Sequence, residues 1–402
     1  MTTATTRPAA SATRAGRILV LVAIVLLASN LRAAVGSLGV LLTTVRDDLG
    51  MSTTVGGVLT TLPVLCFAFF GAVSGDVARR VGLHRTVAIS MALVVVGLVA
   101  RAAVDTTPLF LLFSGVALAG GAVGNVLLPA LAKEHFPDRL GLVSSLYGAT
   151  ILGGAAVSSW LSVPVADAFG SWRAGLAAWA VLAAATLLPW LVLSLRDVKA
   201  DLAAARYPLS RVARSPLAWV MGLFFAAQSA QAYAQFGWFP EILVDAGLGS
   251  GEAALVQGVI FGVGIPTTLL LPAIMRRVGE RPVLPVVFGA VTVVGWAGVL
   301  LVPTAAPWLW AALLGVGGAA FTWVLAMLGV KSRTAGGTAG LSSFVQGLGY
   351  LVAAVGPFGT GYLHDLTGSW TTPIVVLMVI AVAIVVLGVV ICRRPPFEDD
   401  LV

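Results

Sequence analysis

Arg32 is the first residue to which chemistry can be attached. It sits inside a long apolar run, 18–45, bounded by Arg17 and Arg46, 15 residues past the one and 14 before the other. On a helix rising ~1.5 Å per residue, it lies roughly 20 Å from either end. A bilayer core is about 30 Å thick, so the guanidinium falls near mid-depth. There it is costly unless it meets water or a partner. Its planar fork of donors fits a carboxylate, a nitro group or a linear pseudohalide. Ser29, Gly36 and Gly39 are its small neighbours at helical spacing, which predicts open space beside the charge. No second Lys, Arg, Asp or Glu is expected at similar depth, so the cation is uncompensated until an anion arrives. The competing reading is a structural clamp, in which Arg32 bonds backbone carbonyls or Asn and Gln side chains across an interface.

The elements that must hold this residue are membrane helices. The 402 residues are 59% hydrophobic and 10% charged, against roughly 25% charged in a soluble domain. Twelve apolar segments are expected at about 18–45, 52–74, 86–104, 108–132, 140–164, 173–195, 216–239, 252–275, 283–302, 307–330, 337–362 and 371–392. The fold class is all-α membrane protein. With the N-terminus inside, 20 of the 24 basic residues fall on the inner side; Arg46, Arg101 and Arg173 fall outside and Arg32 within the membrane. The net charge of +7 is therefore a topogenic signal. No loop is long enough to form a basic domain for nucleic acid. The expected layout is a cytoplasmic tail over 1–17, a first bundle over 18–195, a cytoplasmic linker over 196–215, a second bundle over 216–392 and a cytoplasmic tail over 393–402. Cys66 and Cys392 read as two buried thiols, with no disulfide or metal role.

The halves repeat. Ala78-Arg79-Arg80-Val81-Gly82 recurs as Met275-Arg276-Arg277-Val278-Gly279, at an offset of 197. Gly170-Ser171-Trp172 recurs as Gly368-Ser369-Trp370, and Ser144-Ser145 as Ser342-Ser343, both at 198. A duplicated six-helix unit is the signature of an alternating-access carrier, with its substrate near mid-membrane between the halves.

Twelve spans, six plus six, with the turn Gly71-Ala72-Val73-Ser74-Gly75-Asp76-Val77-Ala78-Arg79-Arg80-Val81-Gly82-Leu83-His84-Arg85, resemble the major facilitator superfamily. The turn departs from the family pattern: Asp76 is displaced by one place and the Arg normally after it is missing. Four local stretches look like the cyanate and 2-nitroimidazole transporter branch. They are Ser29-Asn30-Leu31-Arg32, then Gly124-Asn125 through Pro129 to Lys133, then Gln228-Ser229 with Tyr233 and Trp238-Phe239-Pro240-Glu241. The fourth runs from Ser343-Phe344-Val345-Gln346-Gly347 to Gly368-Ser369-Trp370. Ala33 follows the Asn-Leu-Arg where family members often carry Pro.

The resemblance implies that the first, fourth, seventh and tenth helices line a cavity. Spacing supplies candidates on them. Gln228, Gln231 and Gln235 form one stripe on the seventh helix, continued by Trp238; it either lines the cavity or bonds neighbouring helices, since amides in lipid need partners. Asn125 either faces the cavity or supports the Pro129 kink, and Trp323 is either an aromatic wall or a packing residue. Tyr147 on the fifth helix, and Gln346 with Tyr350 on the eleventh, offer donors on matching elements. Asn30 lies roughly 200° around the helix from Arg32 and reads as packing glue, and Gln257 with Phe261 is a weaker pair. Asp76 is expected to pair with Arg79, Arg80 and Arg85 at the cytoplasmic rim and to latch a closed state.

These residues predict a monomeric plasma-membrane transporter with both termini cytoplasmic. It would carry a small organic or inorganic anion by uniport, exchange or symport, with protons as the candidate coupling ion. The alternative is export of small hydrophobic drugs such as nitroimidazoles. No catalytic constellation, cofactor or metal is expected, and scattered His84, His135 and His364 argue against an enzyme.

Overall fold

The computed structural model describes residues 14–195 and 209–401. Residues 1–13 of the expected N-terminal tail and most of the expected linker lie outside these residues, and the rest of that tail, from Arg14, begins the first helix. Six long helices form the first half: α1 Arg14–Leu49, α2 Thr53–Val81, α3 Leu83–Ala102, α4 Thr107–His135, α5 Leu140–Ala168 and α6 Trp172–Ser194. A single helical turn, Leu209–Val212, precedes the second half. That half holds α7 Pro216–Asp245, α8 Ser250–Val278, α9 Val283–Leu301, α10 as Pro307–Gly317 plus Ala320–Val330, α11 as Ala335–Ala353 plus Val355–Thr367, and α12 Thr371–Arg393.

All twelve expected spans form, most of them several residues longer than their apolar runs. Among the described residues eleven helices are long and apolar enough to cross a membrane. The helix outside that set is α7, whose hydropathy is lowered by Gln228, Gln231 and Gln235 in mid-helix. It spans by length and by packing, buried between α11, α12 and α1.

Local chemistry sets the helix ends. Ser52, Ser215 and Thr334 cap α2, α7 and α11, each side-chain oxygen accepting from a backbone N–H of the first turn. Pro stands in the first turn of α4, α7 and α10, where its missing N–H costs nothing. The repeated Arg-Arg-Val-Gly ends α2 and α8 alike: Gly82 has φ 110° and Gly279 φ 63°, a region L-residues rarely adopt. Gly170 and Gly368, of the second repeat, sit at φ 60° and 63°. The duplication read from the sequence is thus a duplication of turns.

The C-terminal segment is docked. Phe397–Leu401 forms a 3₁₀ turn, and Phe397 is fully buried. Its N–H donates to the Lys331 carbonyl at 3.0 Å. Glu398 accepts from Ser332 Oγ and the Arg333 N–H, both at 3.0 Å, and Asp400 accepts from Ser215 Oγ at 2.6 Å. Lys331, itself buried, donates to Glu280 and to the Arg394 carbonyl.

Between the halves, α1 meets α7, α2 meets α11, and α5 meets α8. These contacts concentrate at the end away from the termini. A Cβ on Gly39 would overlap the Phe236 carbonyl oxygen, and one on Gly237 would overlap the Thr60 side chain.

Candidate functional site

The α1–α7 crossing brings the side chain of Arg32 from the first half against three rings. Its guanidinium carbon lies 5.3 Å from the centroid of Phe67 on α2, 5.3 Å from Tyr233 and 5.5 Å from Phe236, both on α7. Nη1 donates to the Tyr233 hydroxyl at 2.5 Å. Tyr350 of α11 stacks on Phe67 at 5.2 Å and meets Phe225 edge-on at 4.9 Å. Four helices from both halves therefore converge on one cation. Each ring face offers it roughly 0.5–2 kcal/mol, which offsets part of the cost of removing a guanidinium from water. Among the described residues no carboxylate lies within ion-pair distance of Arg32, and only the Tyr233 hydroxyl accepts a hydrogen bond from it. Arg32 stays half-buried, so donors remain for a ligand.

The end away from the termini is closed above this group. Arg46 of α1 pairs with Glu241 of α7 and donates to Thr53 Oγ1 at 2.6 Å. Asp365 of α11 accepts from the Thr54 N–H at 2.5 Å and from its hydroxyl. Trp160 Nε1 donates to the Leu255 carbonyl at 3.1 Å, tying α5 to α8. The cavity left beneath, lined by Gly39, Thr60, Tyr233 and Phe236, holds about 10 Å³, scarcely one water.

Two expectations need correcting. Gly36 and Gly39 do not leave open space beside Arg32. Gly36 lets α1 close on the Ala155 carbonyl and Ser158 of α5, and Gly39 lets it close on α7; small residues here serve helix approach. Nor is Arg32 the sole cation at depth. Arg101, which the sequence puts at the outer end of α3, is fully buried. Its Nη1 reaches back 3.4 Å to the carbonyl of Ala34, two residues from Arg32, and its Nε and Nη2 have no hydrogen-bond partner among the described residues.

The other candidates divide. Tyr350 joins the cage. Gln231 does not: it donates to the Leu377 carbonyl of α12 and accepts from Trp296 Nε1 of α9 at 2.8 Å. Trp238 donates to the Pro357 carbonyl at 2.8 Å beside the break in α11. Trp323 packs against Phe224 at 5.0 Å inside the second bundle. Gln228 accepts from neighbouring Ser229 at 3.4 Å, and Gln235 is buried. Asn125 and Tyr147 are half-buried on α4 and α5, and Gln346 donates to Ser342 one turn back at 2.7 Å. Asn30 is the glue expected of it, donating to Thr186 Oγ1 of α6 at 2.6 Å. Gln257 is fully buried, with neither amide atom hydrogen-bonded among the described residues. At the rim, Asp76 pairs with Arg79 within α2, Arg80 is exposed, and Arg85 donates to the Ser194 carbonyl of α6 at 3.3 Å.

Phe67 and Phe236 were not singled out from the sequence, and Tyr233 entered only within a motif. The available signal was weak: Tyr233 is one of five tyrosines, on a helix already marked by its amides.

Twelve spanning helices in two like bundles, with a cation held where they meet, define a multi-pass membrane transporter of small molecules. The chain belongs to the Major Facilitator Superfamily, whose model matches residues 19–354. It is 34% identical to the "Uncharacterized transporter YycB" of Bacillus subtilis (strain 168), over 91% of this chain and 90% of that protein. It is 32% identical to the "2-nitroimidazole transporter" of Escherichia coli (strain K12), over 92% of this chain and 95% of that one. The "Cyanate transport protein CynX" of the same organism is 28% identical, over 87% and 91%. Among solved structures, a bacterial homologue of the human lysosomal transporter Spinster, inward-facing and unoccupied, superposes with TM-score 0.77 at 14% identity, covering 96% of this chain and 99% of that one. The fold is shared.

Proposed function

We propose that this transporter carries a small organic or inorganic anion (a cyanate-like ion, a carboxylate or a nitro compound) across the plasma membrane by alternating access. The observation that supports this reading is Arg32, a half-buried guanidinium at the junction of the halves with no carboxylate beside it. The relative named for cyanate supports the anion reading, while the one named for 2-nitroimidazole fits either a nitro group on Arg32 or the second reading below. With the termini cytoplasmic, as the distribution of basic residues implies, the closed end is the outer one. The anion enters from the cytoplasmic end and takes the remaining N–H donors of Arg32 as a bidentate partner. The Tyr233 hydroxyl holds the guanidinium plane, while Phe67 and Phe236 exclude water around it. Closure of the inner end then accompanies release of the Arg46–Glu241 and Thr54–Asp365 contacts. Protons are the candidate coupling ion.

A second reading, export of small hydrophobic drugs, draws on the same rings: Phe67, Tyr233, Phe236 and Tyr350 make an apolar wall. Uptake of labelled cyanate and of 2-nitroimidazole into proteoliposomes separates the two. Loss of anion uptake in both Arg32→Gln and Arg32→Lys, with normal membrane insertion, is the expected result. Undiminished uptake by Arg32→Ala removes the anion site.

A further inference from the structure

A second cluster lies at the end carrying the termini, away from Arg32. His84, on the first turn of α3, and His135, the last residue of α4, are both buried. Their Nε2 atoms face each other at 2.8 Å. Glu134 is exposed, and its carboxylate and the two imidazoles place one ligand atom each within 4.8 Å of one another. Trp190 of α6 stacks on His84 at 6.0 Å and covers the pair from the bundle side.

We propose that His84, His135 and Glu134 form a binding site for a transition-metal dication of the Zn²⁺ class. Two imidazole nitrogens and one carboxylate are a recurring zinc donor set, with water in the fourth position. Bonds of roughly 2.0–2.1 Å in tetrahedral array set two nitrogens about 3.3 Å apart. The facing Nε2 atoms therefore need to separate by about half an ångström, a small rotation of either ring. The ion takes the place of the proton the two Nε2 atoms now share, which moves to Nδ1 of the ring that donated it, so both imidazoles stay neutral. Exposed Glu134 gives the ion a route in, while the buried rings supply the neutral donors it needs.

A simple His–His hydrogen bond is the competing account, and it predicts no Zn²⁺ binding. The outcome for the chain is mechanical. A bound ion ties the start of α3, next to the turn bearing Arg79, Arg80 and Arg85, to the end of α4.

The test uses purified full-length protein with its affinity tag removed. Equilibrium dialysis against Zn²⁺ should give one ion per chain, and Co²⁺ substitution should give visible d–d absorption bands. His84→Gln and His135→Gln, chosen to keep ring-sized polar side chains, should each weaken Zn²⁺ binding more than tenfold. Glu134→Gln should weaken it about tenfold, without altering the elution volume of the folded protein. No bound Zn²⁺ in the wild type, or equal binding by the His84→Gln/His135→Gln double variant, overturns the proposal. Neither readout depends on which substrate is carried, so failure here leaves the anion reading untouched.

Discussion

Arg46 on α1 and Glu241 on α7 form an ion pair across the two bundles, with side chains only 13% and 5% exposed. The second oxygen of Glu241 is buried with no hydrogen-bond donor among the described residues. Sequence position put both residues at the solvent margin, yet they meet out of water, above Arg32. A pair so placed contributes little by existing and costs much when half of it is removed.

Glu241→Gln should therefore loosen this end. It leaves Arg46 buried without its counter-charge, a penalty of about 3–5 kcal/mol against the closed state. The measurement is labelling of Thr60→Cys by an impermeant maleimide, in a background where Cys66 and Cys392 are replaced by Ser. Labelling should accelerate at least tenfold; an unchanged rate would show that the pair does not hold the end shut.

Tyr233→Phe keeps the ring and removes the hydroxyl that accepts from Arg32. A hydrogen bond to a charged group is worth about 1.5–3 kcal/mol, so substrate affinity should fall roughly tenfold or more. Affinity equal to the wild type would mean that the guanidinium needs no holding.

Gly39→Ala should block closure. Its methyl would overlap the Phe236 carbonyl, and overpacking of this kind costs about 1–3 kcal/mol. Transport should drop severalfold while labelling of Thr60→Cys rises. Gly153→Ala is the control, since nothing lies within 4 Å of a Cβ there; it should transport normally.

Gln231→Ala and Gln346→Ala should fail differently. The first leaves Trp296 Nε1 buried without its acceptor, at about 1–3 kcal/mol, and removes the second bond to the Leu377 carbonyl. Its melting temperature should fall with apparent affinity unchanged. Gln346, bonded only within its own helix among the described residues, should show the reverse. Unchanged affinity in Gln346→Ala would make it a packing residue.

The architecture was legible because a bilayer leaves few choices: apolar length gives the spans, and repeated Arg-Arg-Val-Gly and Gly-Ser-Trp turns give the duplication. Arg32 was legible because charge inside an apolar run is conspicuous. Its cage was not, since Phe67 on α2 and the Tyr233–Phe236 pair on α7 come from distant segments and meet only when the halves close. Gly36 and Gly39 were misread as space because a missing side chain marks equally a void or a close backbone approach. Arg101 was misplaced because sequence locates its Cα at a helix end, while its long side chain runs inward to Ala34. The amide stripe on α7 read equally as cavity lining or as helix–helix bonding, and Gln231 takes its partners from α9 and α12.

The low hydropathy of α7 bears on how the protein is made. A segment with three amides and two carboxylates has little to gain from entering lipid alone, where each unsatisfied polar group is expensive. Its partners on α9, α11 and α12 are synthesised later, so α7 must wait in a hydrated or chaperoned setting until they arrive. The second half therefore enters the bilayer as a group, and a truncation after α8 should strand α7 at the membrane surface.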